Sequence, residues 1–115
     1  MLAILQDRLE PKEMLSRIRT HHCKPDSIGL PAELHGTFDA AFTIFVVHEV
    51  PDPARLFHEL GTLLKTGGTL FYTEPPFVTS GKEFRGNLAL AEEAGFRQVD
   101  RFMYFVNRAA VLKKG

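Results

Sequence analysis

Ala40-Ala41-Phe42-Thr43-Ile44-Phe45-Val46-Val47 runs into His48-Glu49-Val50-Pro51-Asp52-Pro53, and the reading of this stretch decides the fold. Eight nearly continuous apolar residues, rich in β-branched and aromatic side chains, are the pattern of a strand buried on both faces. That places residues 39–47 as a central strand of a parallel sheet. Asp52 and Pro53 then supply an N-cap and a first helical residue. Leu56, Phe57, Leu60, Leu63 and Leu64 repeat with helical spacing and make one core-facing stripe. Gly67-Gly68 stops that helix and turns the chain into a second strand over residues 69–73. Strand, helix, strand is a βαβ unit, for which a right-handed crossover is expected.

Outward from this unit the signals thin. Ser80-Gly81-Lys82-Glu83 has the form of a capping box for a further helix. Phe84, Leu88, Ala91 and Ala94 give it a buried face, and Gly95 ends it. Residues 96–104 and 105–113 predict an antiparallel strand pair joined near Val106-Asn107-Arg108. Toward the start, residues 2–5 suggest a short strand. Pro11 opens a helix with Met14, Leu15 and Ile18 on its apolar side. Residues 20–37 are irregular by composition, with a short strand possible at 20–23.

Composition narrows the function classes. In 115 residues, 14 basic side chains balance 14 acidic ones, so no global field draws in nucleic acid or an anionic membrane. The opening apolar run breaks at Gln6-Asp7-Arg8, too short for a membrane span. Cys23, the single cysteine, excludes an internal disulfide and suits a reducing cytoplasm. The length fits one domain, residues 1–115. His21-His22-Cys23 lacks a partner pair at ligand spacing, so no metal is expected. Cys23 has no recognisable base motif that would make it a nucleophile.

In open α/β sheets, ligands bind beyond the carboxyl ends of the strands. Two such ends are visible, at residues 47–52 and at Thr73-Glu74-Pro75-Pro76-Phe77. Each carries a carboxylate after an apolar strand, and the first adds an imidazole. His48 and Glu49 are therefore candidates to orient a substrate or remove a proton. The alternative is structural, with Glu49 and Asp52 capping the helix and His48 satisfying backbone groups.

Phe38-Asp39, Val47-His48-Glu49-Val50-Pro51-Asp52, Glu59-Leu60, Leu64-Lys65-Thr66-Gly67-Gly68-Thr69-Leu70 and Glu74-Pro75, in this order, resemble the second half of a class I S-adenosylmethionine-dependent methyltransferase. The resemblance runs from Phe38 to Lys113, more weakly back to Leu9. It implies a partial Rossmann-like sheet, mostly parallel, closed by an antiparallel pair. It implies methyl transfer to an acceptor as the activity of a complete form, and S-adenosylmethionine as cofactor. By position, Glu10 or Asp7 matches the ribose-binding acid, Asp26 and Ser27 the adenine side, and Phe45 the cofactor pocket. His48 and Glu49 fall on the substrate side. The departure is at the front. The family's acidic-Gly-x-Gly-x-Gly loop has no counterpart, because the nine glycines nowhere form Gly-x-Gly. The chain thus reads as a truncated domain lacking its first βα unit, with weak or no cofactor binding on its own. The rival reading is a non-catalytic binding or assembly module built on the same fold. The missing strand would leave an edge of residues 39–47 bare, which a second copy could cover as a homodimer.

Overall fold

The computed structural model describes residues 21, 23 and 27–115. The expectations for residues 2–5, for the helix after Pro11 and for Asp7, Glu10 and Asp26 lie outside the described residues. So does most of the strand suggested at 20–23, of which His21 and Cys23 stand in no regular element.

Strand β1 (Phe38–Ile44) leads through a 3-10 turn (Val47–Glu49) to helix α1 (Pro53–Leu63) and strand β2 (Leu64–Glu74). Helix α2 (Gly81–Glu93) follows, then β3 (Phe96–Tyr104) and β4 (Asn107–Lys114). The four strands form one sheet in the order β1-β2-β4-β3. β1 and β2 are parallel, and the other two pairings are antiparallel. The order of strand, helix and strand, the helix opened at Ser80 and the antiparallel closing pair agree with the sequence.

Local chemistry explains the helix starts. The Asp52 carboxylate accepts the Arg55 N–H at 3.1 Å, with Pro53 in the first helical turn. Ser80 Oγ accepts the Glu83 N–H at 3.1 Å and itself donates to Glu83 Oε1 at 3.2 Å. α2 ends at Gly95, whose φ of 100° is open only to a residue without Cβ at low cost.

Both helices pack on one face of the sheet. Phe57 and Leu60 of α1, and Phe84, Leu88 and Ala91 of α2, enclose Leu70 and Tyr72 of β2 and Ala110 and Leu112 of β4. Tyr72 stacks on Phe84 with centroids 4.8 Å apart and meets Phe57 edge-on. Its hydroxyl accepts from Asn87 Nδ2 at 2.9 Å, and burial pushes its pKa well above the usual tyrosine value.

Three expectations need correction. The first strand stops at Ile44 rather than Val47, because Phe45 takes a φ of 59° and the chain turns there. Val47 is nonetheless fully buried, in the turn rather than the strand. A run of apolar residues therefore marked burial correctly and strand length wrongly. β1 is also not buried on both faces among the described residues. Thr43 and Ala41 face the helices, while Phe42 is 69% exposed and Ile44 is exposed beside it. Finally, the helix ends before the glycines. Leu64 already pairs with Phe38, and the next partner of β1 is Thr69, so residues 65–68 form an outward excursion within β2. Gly67 occupies φ 82° in that excursion, and a Cβ on Gly68 would meet the Lys65 carbonyl oxygen at 2.8 Å.

Candidate active site at the strand ends

The carboxyl ends of β1 and β2 lie side by side, with Ile44 paired to Thr73. Just past Ile44, the Phe45 N–H donates to the Thr73 carbonyl at 3.1 Å. This last ladder contact holds Phe45 in the left-handed region, a conformation that persists in a bulky residue only where its surroundings enforce it. The turn then delivers His48 over the end of β2.

There His48 Nδ1 meets Glu74 Oε2 at 2.6 Å. Glu74 is 1% exposed, and Thr79 Oγ1 donates to the same Oε2 at 2.8 Å. The other oxygen, Oε1, is buried and has no hydrogen-bond partner among the described residues. A bond from Nδ1–H to the carboxylate leaves Nε2 as the acceptor of the ring. Nε2 lies 3.6 Å from Glu49 Oε1, whose side chain is largely solvent-exposed, so the acceptor nitrogen points outward. An imidazole held by a buried carboxylate, with its second nitrogen open, is a general-base arrangement.

The sequence candidates divide on this geometry. His48 and Glu49 come together with Phe45 at one strand end. Ser27 does not join them. It lines a separate cavity with Ile28, Gly29, Leu30, Arg55 and Glu59, where the Ile28 N–H donates to Glu59 Oε2 at 2.7 Å. Asp52 alone takes the helix cap considered for Glu49 and Asp52. Glu74 and Thr79 were not singled out from the sequence as site residues. For Glu74 a signal exists. Period-two alternation puts residue 74 on the face that carries Leu70 and Tyr72 into the core, so a buried carboxylate was readable there. Thr79 lies in an irregular segment with no such periodicity. Among the described residues no group of three His, Cys, Asp or Glu side chains is placed to hold a metal ion.

A family model described as "Methyltransferase domain" matches residues 1–72. This chain belongs to the methyltransferase-domain family. The match reaches back to residue 1, further than the resemblance carried by the motifs after Phe38. The ubiquinone biosynthesis O-methyltransferase of Azotobacter vinelandii is 41% identical over 44 residues, 38% of this chain and 19% of that protein. Among solved structures, a [4+2]-cyclase, SpnF, superposes with a TM-score of 0.77 at 16% identity, covering 97% of this chain and 62% of its own. A SAM-dependent methyltransferase from Aquifex aeolicus gives 0.75 at 19% identity, covering 95% and 61%. The chain spans about three fifths of the length of these structures and about a fifth of the curated relative. The fold is that of class I S-adenosylmethionine-dependent methyltransferases.

Proposed function

We propose that this methyltransferase-family domain works on the acceptor side of a methyl transfer, with His48 as the base that takes a proton from an acceptor hydroxyl. The contact between His48 Nδ1 and the buried Glu74 carboxylate, 2.6 Å, carries this reading. Glu74 is the positioning residue, fixing the tautomer so that Nε2 accepts. Glu49 flanks Nε2 at 3.6 Å on the solvent side. An oxygen acceptor agrees with the name of the Azotobacter relative, an O-methyltransferase.

The residues of this chain fit the cofactor poorly. The nine glycines nowhere form the Gly-x-Gly pattern whose missing Cβ atoms let the family's loop approach the methionine part of S-adenosylmethionine. Phe45, Ser27, Asp26 and Glu10 (or Asp7) stand as its proposed contacts, and binding by the chain alone is set no tighter than ~100 μM. We further read residues 1–115 as one cytoplasmic domain, dimeric through the open edge of β1. No helix among the described residues is long and apolar enough to cross a membrane.

The second reading is a binding or assembly module without catalysis. SpnF, a cyclase sharing this fold, illustrates that the fold alone does not set the reaction. Methyl transfer from labelled S-adenosylmethionine to a panel of phenols and catechols separates the two. Turnover that falls ~100-fold or more in His48→Ala supports the base. Turnover unchanged in that variant removes His48 from the role, and no transfer at saturating cofactor establishes the non-catalytic module. Low-micromolar cofactor binding by calorimetry would overturn the weak-binding assignment.

A further inference from the structure

Three arginines converge around the start of α2 without a carboxylate to neutralise them. A Cβ built on Gly81 would stand 3.3 Å from both Arg108 Nη2 and Arg85 Nη1, so the two guanidinium groups crowd the same point. Arg101 lies over the Phe84 ring, 6.0 Å from its centroid. Arg108 Nη1 donates to the Thr79 carbonyl at 3.3 Å, and most of its five donors have no partner among the described residues. Among the described residues none of the three is in an ion pair, although Arg55 and Lys65 both are. The nearest acidic residue in the first turn, Glu83, is engaged by Ser80 Oγ.

This is an unfavourable arrangement of charge. Like charges sit side by side, at the end of a helix whose dipole already favours anions. An oxyanion bound between them would reverse the sign of every one of these terms, and the planar guanidinium fork matches carboxylate and phosphate oxygens. The arginines also border a space of suitable size. An open cavity of about 360 Å³ is lined by Arg101 and Arg108 together with Phe84, Phe102, Met103 and Ala109. Polar surface, including the two guanidinium groups, and apolar surface both contribute to its walls.

We propose that this cavity binds the carboxylate or phosphate group of a small molecule with an apolar, ring-sized body. Arg101 and Arg108 grip the oxyanion, Arg85 adds charge at the rim, and Phe84 and Met103 pack against the body. The cavity adjoins the strand-end site, because Thr79 bonds both Arg108 and Glu74. Binding here is separate from methyl transfer and is measured without cofactor.

Amide chemical-shift titration of the full chain with phenyl phosphate, benzoate, inorganic phosphate and benzyl alcohol tests it. Phenyl phosphate and benzoate are expected to saturate shifts at Gly81, Arg101 and Arg108, at least ~10-fold more tightly than benzyl alcohol, as a charged hydrogen-bonded pair implies. Arg101→Gln and Arg108→Gln should each weaken that binding ~10-fold while Lys82→Gln leaves it unchanged. Equal affinity for benzyl alcohol overturns the anion site, and this comparison on the unmodified protein decides even if an arginine variant misfolds. Inorganic phosphate binding as tightly as phenyl phosphate overturns the apolar body. Binding unaltered by both arginine substitutions overturns the assignment of residues.

Discussion

His48 and Glu49 are neighbours in sequence with opposite environments, and their effects on stability should differ accordingly. Glu49 is solvent-exposed and caps nothing among the described contacts, so Glu49→Ala should change stability by no more than ~0.5 kcal/mol. His48 is half-buried against a carboxylate that already has one orphan oxygen. His48→Ala strips a hydrogen-bond partner from a buried carboxyl group and should cost ~1–3 kcal/mol. Urea denaturation of the two variants checks both values. A large loss in Glu49→Ala would return that residue to a structural role. Glu74 shows why site residues are hard to find by residue type alone. The alternation of β2 marks Glu74 as buried, but nothing in the residue type tells that it sits against His48.

Elements were the most legible level, and the joints between them the least. The βαβ pattern, the Asp52 and Ser80 caps and the final hairpin follow from local chemistry that short sequence windows contain. The hairpin turn itself does not. Phe105 and Val106 form its two central positions with φ of 46° and 65°, where Asn-Gly would be the usual choice. Phe105 is 91% exposed, and its ring meets that of Tyr104 edge-on at 6.2 Å, a contact too slight to offset the backbone strain of two positive-φ residues. Replacing the pair (Phe105→Asn with Val106→Gly) should therefore raise stability by ~1–2 kcal/mol, read as a higher urea midpoint at unchanged slope. A lower midpoint would mean that the apolar tip makes stabilising contacts after all.

For the whole molecule, the open side of the sheet is the main unresolved surface energy. β1 has a strand partner on one side only among the described residues. Away from the helices, Phe42, Phe71, Phe102 and Tyr104 make an aromatic row with successive centroids 6.0, 6.1 and 6.3 Å apart. β1 carries no Lys or Pro to blunt its edge. A second copy pairing antiparallel about a twofold axis would cover that edge, and the expected result is a dimer by light scattering after size exclusion at ~50 μM. A folded monomer at that concentration excludes pairing by a second copy and points to residues 2–5 as the covering strand.

What the sequence determined by itself was short-range. Periodicity and capping residues specify where helices and strands form, because each depends on neighbours within a turn or a strand. The ordered motifs from Phe38 to Glu74 were enough to indicate the family. Tertiary structure decided how the strand ends meet. Nothing local places His48 over Glu74, 26 residues away, or brings Arg85 and Arg108 to one point beside Gly81. Those meetings depend on the parallel register of β1 with β2 and the antiparallel register of β4 with both its neighbours. Register is a property of the packed sheet, set by which faces bury together, and no single segment contains it.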